Sequence, residues 1–181
     1  MKQKPFLLIS LIGLAVPMLC PAQPTITVQP QSQTNVVGST LTLAVEAAGE
    51  PPLVYHWRKS GGPVAGATNA ALVFTNLQSS QAGNYTVIIT NIEGAVTSAV
   101  AFVRALLPPA ITRQPTNFST LSLGASVSNR VAASGTTPLY YQWRLNGTSL
   151  LGETNTSIVI TNLRLSNVGE YTAVVTNSVV R

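Results

Sequence analysis

One histidine and five glutamates are the main side chains in this 181-residue sequence suited to proton transfer at neutral pH; there is no aspartate, and the single cysteine is Cys20. His56 lies between Tyr55 and Trp57 in "LVYHWR", a run whose alternation reads as a strand. General acid–base work needs a second group within hydrogen-bond reach, and a metal needs several convergent ligands. No second histidine exists. Glu46, Glu50, Glu93, Glu153 and Glu170 fall in turn-like stretches or stand alone in strands, so their spacing forms no carboxylate pair. "GSTLTL" and "GETNTS" match neither a phosphate loop nor a nucleophile elbow. The expectation is a chain with no catalytic residue, no metal and no cofactor, in which His56 is a half-exposed strand residue.

The aromatic residues offer a different chemistry, a stacking platform for sugar rings. Trp57, Tyr85, Trp143 and Tyr171 occupy matched positions of an internal repeat, which points to core instead. Tyr55, Tyr140 and Tyr141 are less determined, because successive strand residues face opposite ways. One of Tyr140 and Tyr141 is expected to be exposed.

These residues are set in a chain with 45% apolar and only 8% charged residues, against about 25% charged in a typical domain. Ser, Thr, Asn and Gln must therefore supply the polar surface, and the many Val, Ile and Thr favour strands. With Lys2 and Lys4 set aside, 8 basic residues face 5 acidic ones. The basic residues are scattered, whereas nucleic-acid binders cluster them on one face; no nucleic-acid partner is expected.

"MKQKPFLLISLIGLAVPMLCPAQP" opens the chain. Lys2 and Lys4 form a positive start, Phe6 to Leu19 an apolar run, and Cys20-Pro21-Ala22 a small-residue cleavage site before Gln23, the pattern of a secretory signal. The apolar run is about 14 residues, short of the roughly 20 that span a bilayer, and Pro17 interrupts it. No membrane span is expected in the mature chain. Leu19 before Cys20 argues against lipidation, and cleavage after Ala22 would leave the chain without cysteine. Sequons at Asn84, Asn117, Asn146 and Asn155 would matter in a eukaryotic secretory path.

The rest repeats itself. "GNYTVIITN" at 83–91 matches "GEYTAVVTN" at 169–177, and "PPLVYHWRKSGG" matches "TPLYYQWRLNG". The offset is 86 from Gly38/Gly124 onward and 85 before it. Each unit is long enough to be its own domain. Short alternating segments parted by turns fill both: Leu41, Leu43 and Val45 share a face, as do Leu53, Tyr55 and Trp57. Asn146-Gly147 marks a tight hairpin, with Gly61-Gly62 in that role in the first unit, and Pro108-Pro109 reads as a stiff linker. No amphipathic helix emerges. The pattern is that of β-sandwiches.

This arrangement resembles the immunoglobulin fold. Trp57 and Trp143 match the family's core tryptophan. Val45 and Val131, twelve residues earlier, fall where its first cysteine would lie. Tyr85 and Tyr171 match the tyrosine of the corner two positions before the second cysteine, here Val87 and Ala173. "QAGNY" and "NVGEY" stand for its Asp-x-Gly-x-Tyr turn. More closely, "QPQSQTNVVGS" and "LQSSQAGNYTVIITN" resemble cysteine-free immunoglobulin-like repeats of exported bacterial proteins. That resemblance implies a bacterial source, in which the sequons would be without consequence. A disulfide closing residues 45 to 87 would contribute about 4 kcal/mol; valines packed on the tryptophan replace part of it at roughly 1.5–3 kcal/mol per buried side chain. Val131 with Ala173 fills less volume than Val45 with Val87, so the second unit is expected to be the less stable.

The first unit continues past Asn91 through "IEGAVTSAVAFV"; the second reaches only Arg181. The expectation is an all-β chain of tandem immunoglobulin-like β-sandwiches, the second lacking its last strand, so that "YTAVVTN" presents an open edge. Residues 1–22 form a signal peptide, 24–105 the first domain and 109–181 the second, incomplete one. The chain reads as an N-terminal fragment of a longer repeat protein, with strand donation by a partner as the alternative. The expected structural core is Val45, Trp57, Tyr85, Val87, Val131, Trp143, Tyr171 and Ala173. The expected role is a secreted or cell-surface spacer or adhesion module facing an unknown protein or polysaccharide. The alternatives are accessory domains of an exported enzyme such as a polysaccharide hydrolase, or direct carbohydrate binding.

Overall fold

Alternating apolar residues make strands here because every second side chain can be buried while its neighbours stay wet. In a computed structural model, which describes residues 22–118 and 122–180, the first unit contains β1 (Thr25–Val28), β2 (Gln33–Val36), β3 (Leu41–Ala44), β4 (Glu46–Ala48), β5 (Val54–Lys59), β6 (Gly62–Pro63), β7 (Ala71–Phe74), β8 (Gly83–Asn91), β9 (Gly94–Thr97) and β10 (Ala101–Leu106). One layer has the order β2-β10-β8-β5-β6, with β9 also on β8; the other joins β1 to β4 and β3 to β7. All pairs are antiparallel except β2 with β10, which is parallel. Leu41, Leu43, Val45, Trp57, Leu77, Tyr85, Val87, Ile89 and Val103 meet between the layers, each at most 3% exposed.

The second unit repeats the plan with β11 (Ala110–Arg113), β12 (Val127–Arg130), β13 (Ala132–Ser134), β14 (Tyr140–Leu145), β15 (Thr148–Ser149), β16 (Ser157–Ile160) and β17 (Tyr171–Thr176). β12 to β16 lie 86 residues after β3 to β7, and β11 lies 85 after β1, the offsets that the sequence carries. Trp57 stands in register with Val87 across β5/β8, and Trp143 with Ala173 across β14/β17. The expected signal segment lies outside the described residues except for Ala22.

The turns differ from expectation at two places. Asn146 and Gly147 take left-handed φ values of 48° and 80°, as a tight hairpin between twisted strands requires. In the first unit Ser60 (47°) and Gly61 (86°) hold that turn, and Gly62 already belongs to β6. Pro108-Pro109 is not a free linker. A Cβ placed on Gly135 would lie 2.9 Å from Pro108 O and 3.0 Å from Pro109 Cα, so the two prolines pack against the loop that holds Gly135.

The layers also differ between units. β17 pairs β14 within the order β15-β14-β17, and among the described residues nothing pairs with its other side, where β9 and β10 lie on β8 in the first unit. The buried core there comprises Val131, Trp143 and Ile158, with Tyr171 and Ala173 only partly buried against it.

Candidate functional site

The residues singled out for chemistry do not converge. His56 is exposed on β5, Glu46, Glu93 and Glu170 are exposed, and Glu50 and Glu153 are half-buried on separate loops. No group of three or more potential metal ligands occurs among the described residues. A recess of about 430 Å³ beside His56 is lined by Arg58, Pro63, Val64 and Ile88, and it brings no carboxylate and no second imidazole to His56.

The aromatic residues build structure. Trp57 and Trp143 are 1% and 0% exposed, and each indole Nε1 donates to a carbonyl twelve residues on, Asn69 O and Asn155 O, both at 2.9 Å. Tyr85 and Tyr171 each donate their hydroxyl to the carbonyl four residues back, Gln81 O at 2.7 Å and Asn167 O at 2.9 Å. Burial pushes both phenol pKa values above the ordinary range, because the phenolate would lose its hydration. Phe74 meets Tyr85 edge-on at 5.6 Å. Tyr140 is 60% exposed and Tyr141 is partly buried against the core.

Val45, Val87 and Val131 are buried beside the tryptophans. Tyr171 and Ala173, expected in the same core, are only half-buried. The physical reason is the uncovered side of β17, since Tyr85 and Val87 owe their full burial to the strand beside them.

One polar element was not anticipated. Asn177 is 2% exposed. Its Nδ2 donates to Leu107 O (2.9 Å) and Thr136 O (3.0 Å), while Oδ1 accepts from Val179 N (2.9 Å) and Val180 N (3.2 Å). Asn91 makes the same set in the first unit, to Ala22 O, Glu50 O, Glu93 N and Gly94 N. Each asparagine thus ties the end of its strand to the segment that enters its unit. The recurrence of "TN" at both strand ends is the signal that marks it in the sequence. In the second unit this clamp, together with Thr136 Oγ1 accepting from Leu107 N (2.7 Å) and Thr136 N donating to Leu107 O (3.0 Å), fixes Leu107. Leu106 O, one residue earlier, accepts from Val37 N (2.9 Å) of the first unit.

Beside β17 lies an open groove of about 670 Å³ whose lining includes Val127, Ile158, Ile160, Leu163 and Tyr171.

Buried paired tryptophans, tyrosine corners and two layers of short strands define tandem immunoglobulin-like β-sandwiches. Residues 23–91 match the family model described as "Immunoglobulin domain", so the first unit is an immunoglobulin-like domain. The chain is similar to Endoglucanase C of Cellulomonas fimi, 30% identical over 88% of this chain and 15% of that protein. It is also similar to the mouse basement membrane-specific heparan sulfate proteoglycan core protein, 33% identical over 71% of this chain and 4% of that one. The chain therefore spans a small part of these relatives. In structure it is similar to an I-band fragment from titin, with a TM-score of 0.70, 18% identity, and coverage of 88% of this chain and 62% of that one. No helix among the described residues is long and apolar enough to cross a membrane.

Proposed function

We propose that this chain is a non-catalytic spacer and adhesion segment of an exported, surface-associated protein, with residues 1–22 as its export signal. The observation that carries this reading is the joint between the units. Leu106 is bonded into the first unit and Leu107 into the second, so one peptide bond separates the two sets of bonds. A joint without a free residue bends only by breaking hydrogen bonds, which suits a module that must hold its ends apart. Small-angle scattering on the chain from Gln23 onward tests this against a variant with a six-residue Gly/Ser insert between Leu106 and Leu107. The native chain is expected to give one narrow distance distribution and the insert a broad one; equal breadth would overturn the reading. Cleavage after Ala22 would remove one acceptor of Asn91 and leave it Glu50 O.

A second reading has its own support, the likeness to Endoglucanase C across most of this chain. In that reading the units are accessory domains of an exported polysaccharide-degrading enzyme. Co-sedimentation with cellulose separates the two. A spacer stays in solution, whereas retention that is lost in Tyr140→Ala, the exposed aromatic of β14, would favour carbohydrate contact.

A further inference from the structure

The recess beside His56 lies over the outer face of β5, and its arginine meets no acid there. His56 and Arg58 flank the buried Trp57, so both point away from the core, and residues two apart on a strand stand about 6.7 Å from each other. Ile88 faces His56 and Thr86 faces Arg58 across β5/β8, while Pro63 faces Arg58 from β6. The remaining wall is the loop from Val64 to Thr68. β5, β6, β8 and that loop contain no aspartate or glutamate. Lys59, the other cation of β5, alternates to the opposite face and donates to Ser80 O. The second unit carries other groups at the matched positions. Gln142, the counterpart of His56, donates its Nε2 to Trp143 O (2.9 Å) and Leu150 O (2.7 Å). Glu153, the counterpart of Ala67, puts a carboxylate on the same loop. The first unit has neither. Among the described residues no side-chain hydrogen bond or ion pair engages His56 or Arg58, and the small residues Ala65, Gly66 and Ala67 line a recess left open at about 430 Å³.

We propose that this recess binds the carboxylate of a uronic-acid residue in an acidic polysaccharide. The Arg58 guanidinium takes the carboxylate through its planar fork of donors. The His56 imidazole donates a further hydrogen bond from the same strand face, and the sugar ring lies on the apolar surface of Pro63, Val64 and Ile88. An extended acidic peptide fits less well, because the edge of β5 is already taken at this point. Val64 N donates to Trp57 O (2.9 Å) and Trp57 N donates to Ala67 O (3.3 Å), which leaves a peptide no free backbone to pair with. The choice of a saccharide rests on the surface-adhesion reading above; the choice of a carboxylate rests on Arg58 and His56.

The test uses the full chain, oligogalacturonate as the probe and neutral oligomers of galactose as the control, in about 0.15 M salt so that scattered surface charge is screened. Oligogalacturonate is expected to bind saturably and to shift the amide resonances of His56, Val64, Thr68 and Ile88, while the neutral oligomer does neither. Arg58→Gln is expected to weaken binding about fivefold and His56→Gln, which installs the second unit's residue, about threefold, both modest because the groups stay partly in water. Arg144→Gln, at the matched position of the second unit, is expected to leave binding unchanged. Equal binding of the neutral oligomer, equal loss in Arg144→Gln, shifts centred on residues 142–153, or tighter binding of poly-glutamate than of oligogalacturonate would each overturn the proposal. The spacer reading is judged separately, on the scattering comparison: a narrow distance distribution without oligogalacturonate binding overturns the site and leaves that reading standing.

Discussion

Replacing Asn177 with alanine removes four hydrogen bonds made by one buried side chain. Their losses are unequal. Leu107 O keeps its bond from Thr136 N at 3.0 Å, and the Val179 and Val180 amides are near enough to the surface to meet water. Thr136 O loses its side-chain donor. Counting about two uncompensated bonds at about 1 kcal/mol each, and up to 1 kcal/mol more for the stranded carbonyl, gives an expected loss of about 2–3 kcal/mol. Urea unfolding in a Trp57→Phe background lets Trp143 alone report the second unit. With a slope near 1 kcal/mol per molar for a small domain, the midpoint should fall by about 2–3 M. Asn177→Asp sharpens the test, because the shape is kept while a carboxylate oxygen replaces the donor facing two carbonyls. It is expected to cost as much as alanine at pH 7 and to recover partly as pH falls into the carboxylate range. Loss of less than about 0.5 kcal/mol for Asn177→Ala, the scale of an ordinary surface change, would refute the clamp.

Further outcomes are expected at the core, the tyrosine corners and Gly135. Ala173→Val should stabilise the second unit by about 0.5–1.5 kcal/mol, and Val87→Ala should destabilise the first by about 1.5–3 kcal/mol, both read from unfolding midpoints; a sign reversal in either would show that the volume beside the tryptophan is not limiting. Tyr85→Phe should cost about 1 kcal/mol by losing the bond to Gln81 O. Because burial raises the folded-state pKa of Tyr85 and Tyr171, their contribution is complete below the ordinary phenol value near 10 and is lost as pH rises through the folded values. A Tyr85→Phe, Tyr171→Phe double variant should therefore show a flatter alkaline decline in melting temperature. Gly135→Ala places a Cβ 2.9 Å from Pro108 O at a backbone φ of +143°, and should lower the second unit's stability by about 1–3 kcal/mol in the same urea assay.

Much of the fold is legible in the chain because its signals are local. The alternation of Leu41, Leu43 and Val45 and the 86-residue repeat place the strands, and Asn146-Gly147 places a hairpin. Other features escape a linear reading. Gly61-Gly62 looks like the turn, yet Ser60 carries the positive φ, since the turn is set by the register of Lys59 opposite Gly62. Pro108-Pro109 looks like a spacer because nothing in its composition shows that it packs against Gly135. Asn91 and Asn177 look like ordinary surface polar residues. The carbonyls that their Nδ2 groups reach lie 41 to 70 positions away, and only the recurrence of "TN" at the two strand ends marks these residues in the sequence.

The sequence by itself determined which side chains face inward, because a strand has a period of two and each apolar position follows from its neighbours. It also determined that the two units share one plan. Only the tertiary structure decided how deeply those inward positions are buried. Tyr85 and Tyr171 stand in the same local motif, yet one is buried and the other half-buried. The difference lies in the strand across from them, which β10 supplies to β8 and which nothing described supplies to β17. Burial depends on residues distant in the chain, and so do the bonds that hold Leu106 to the first unit and Leu107 to the second.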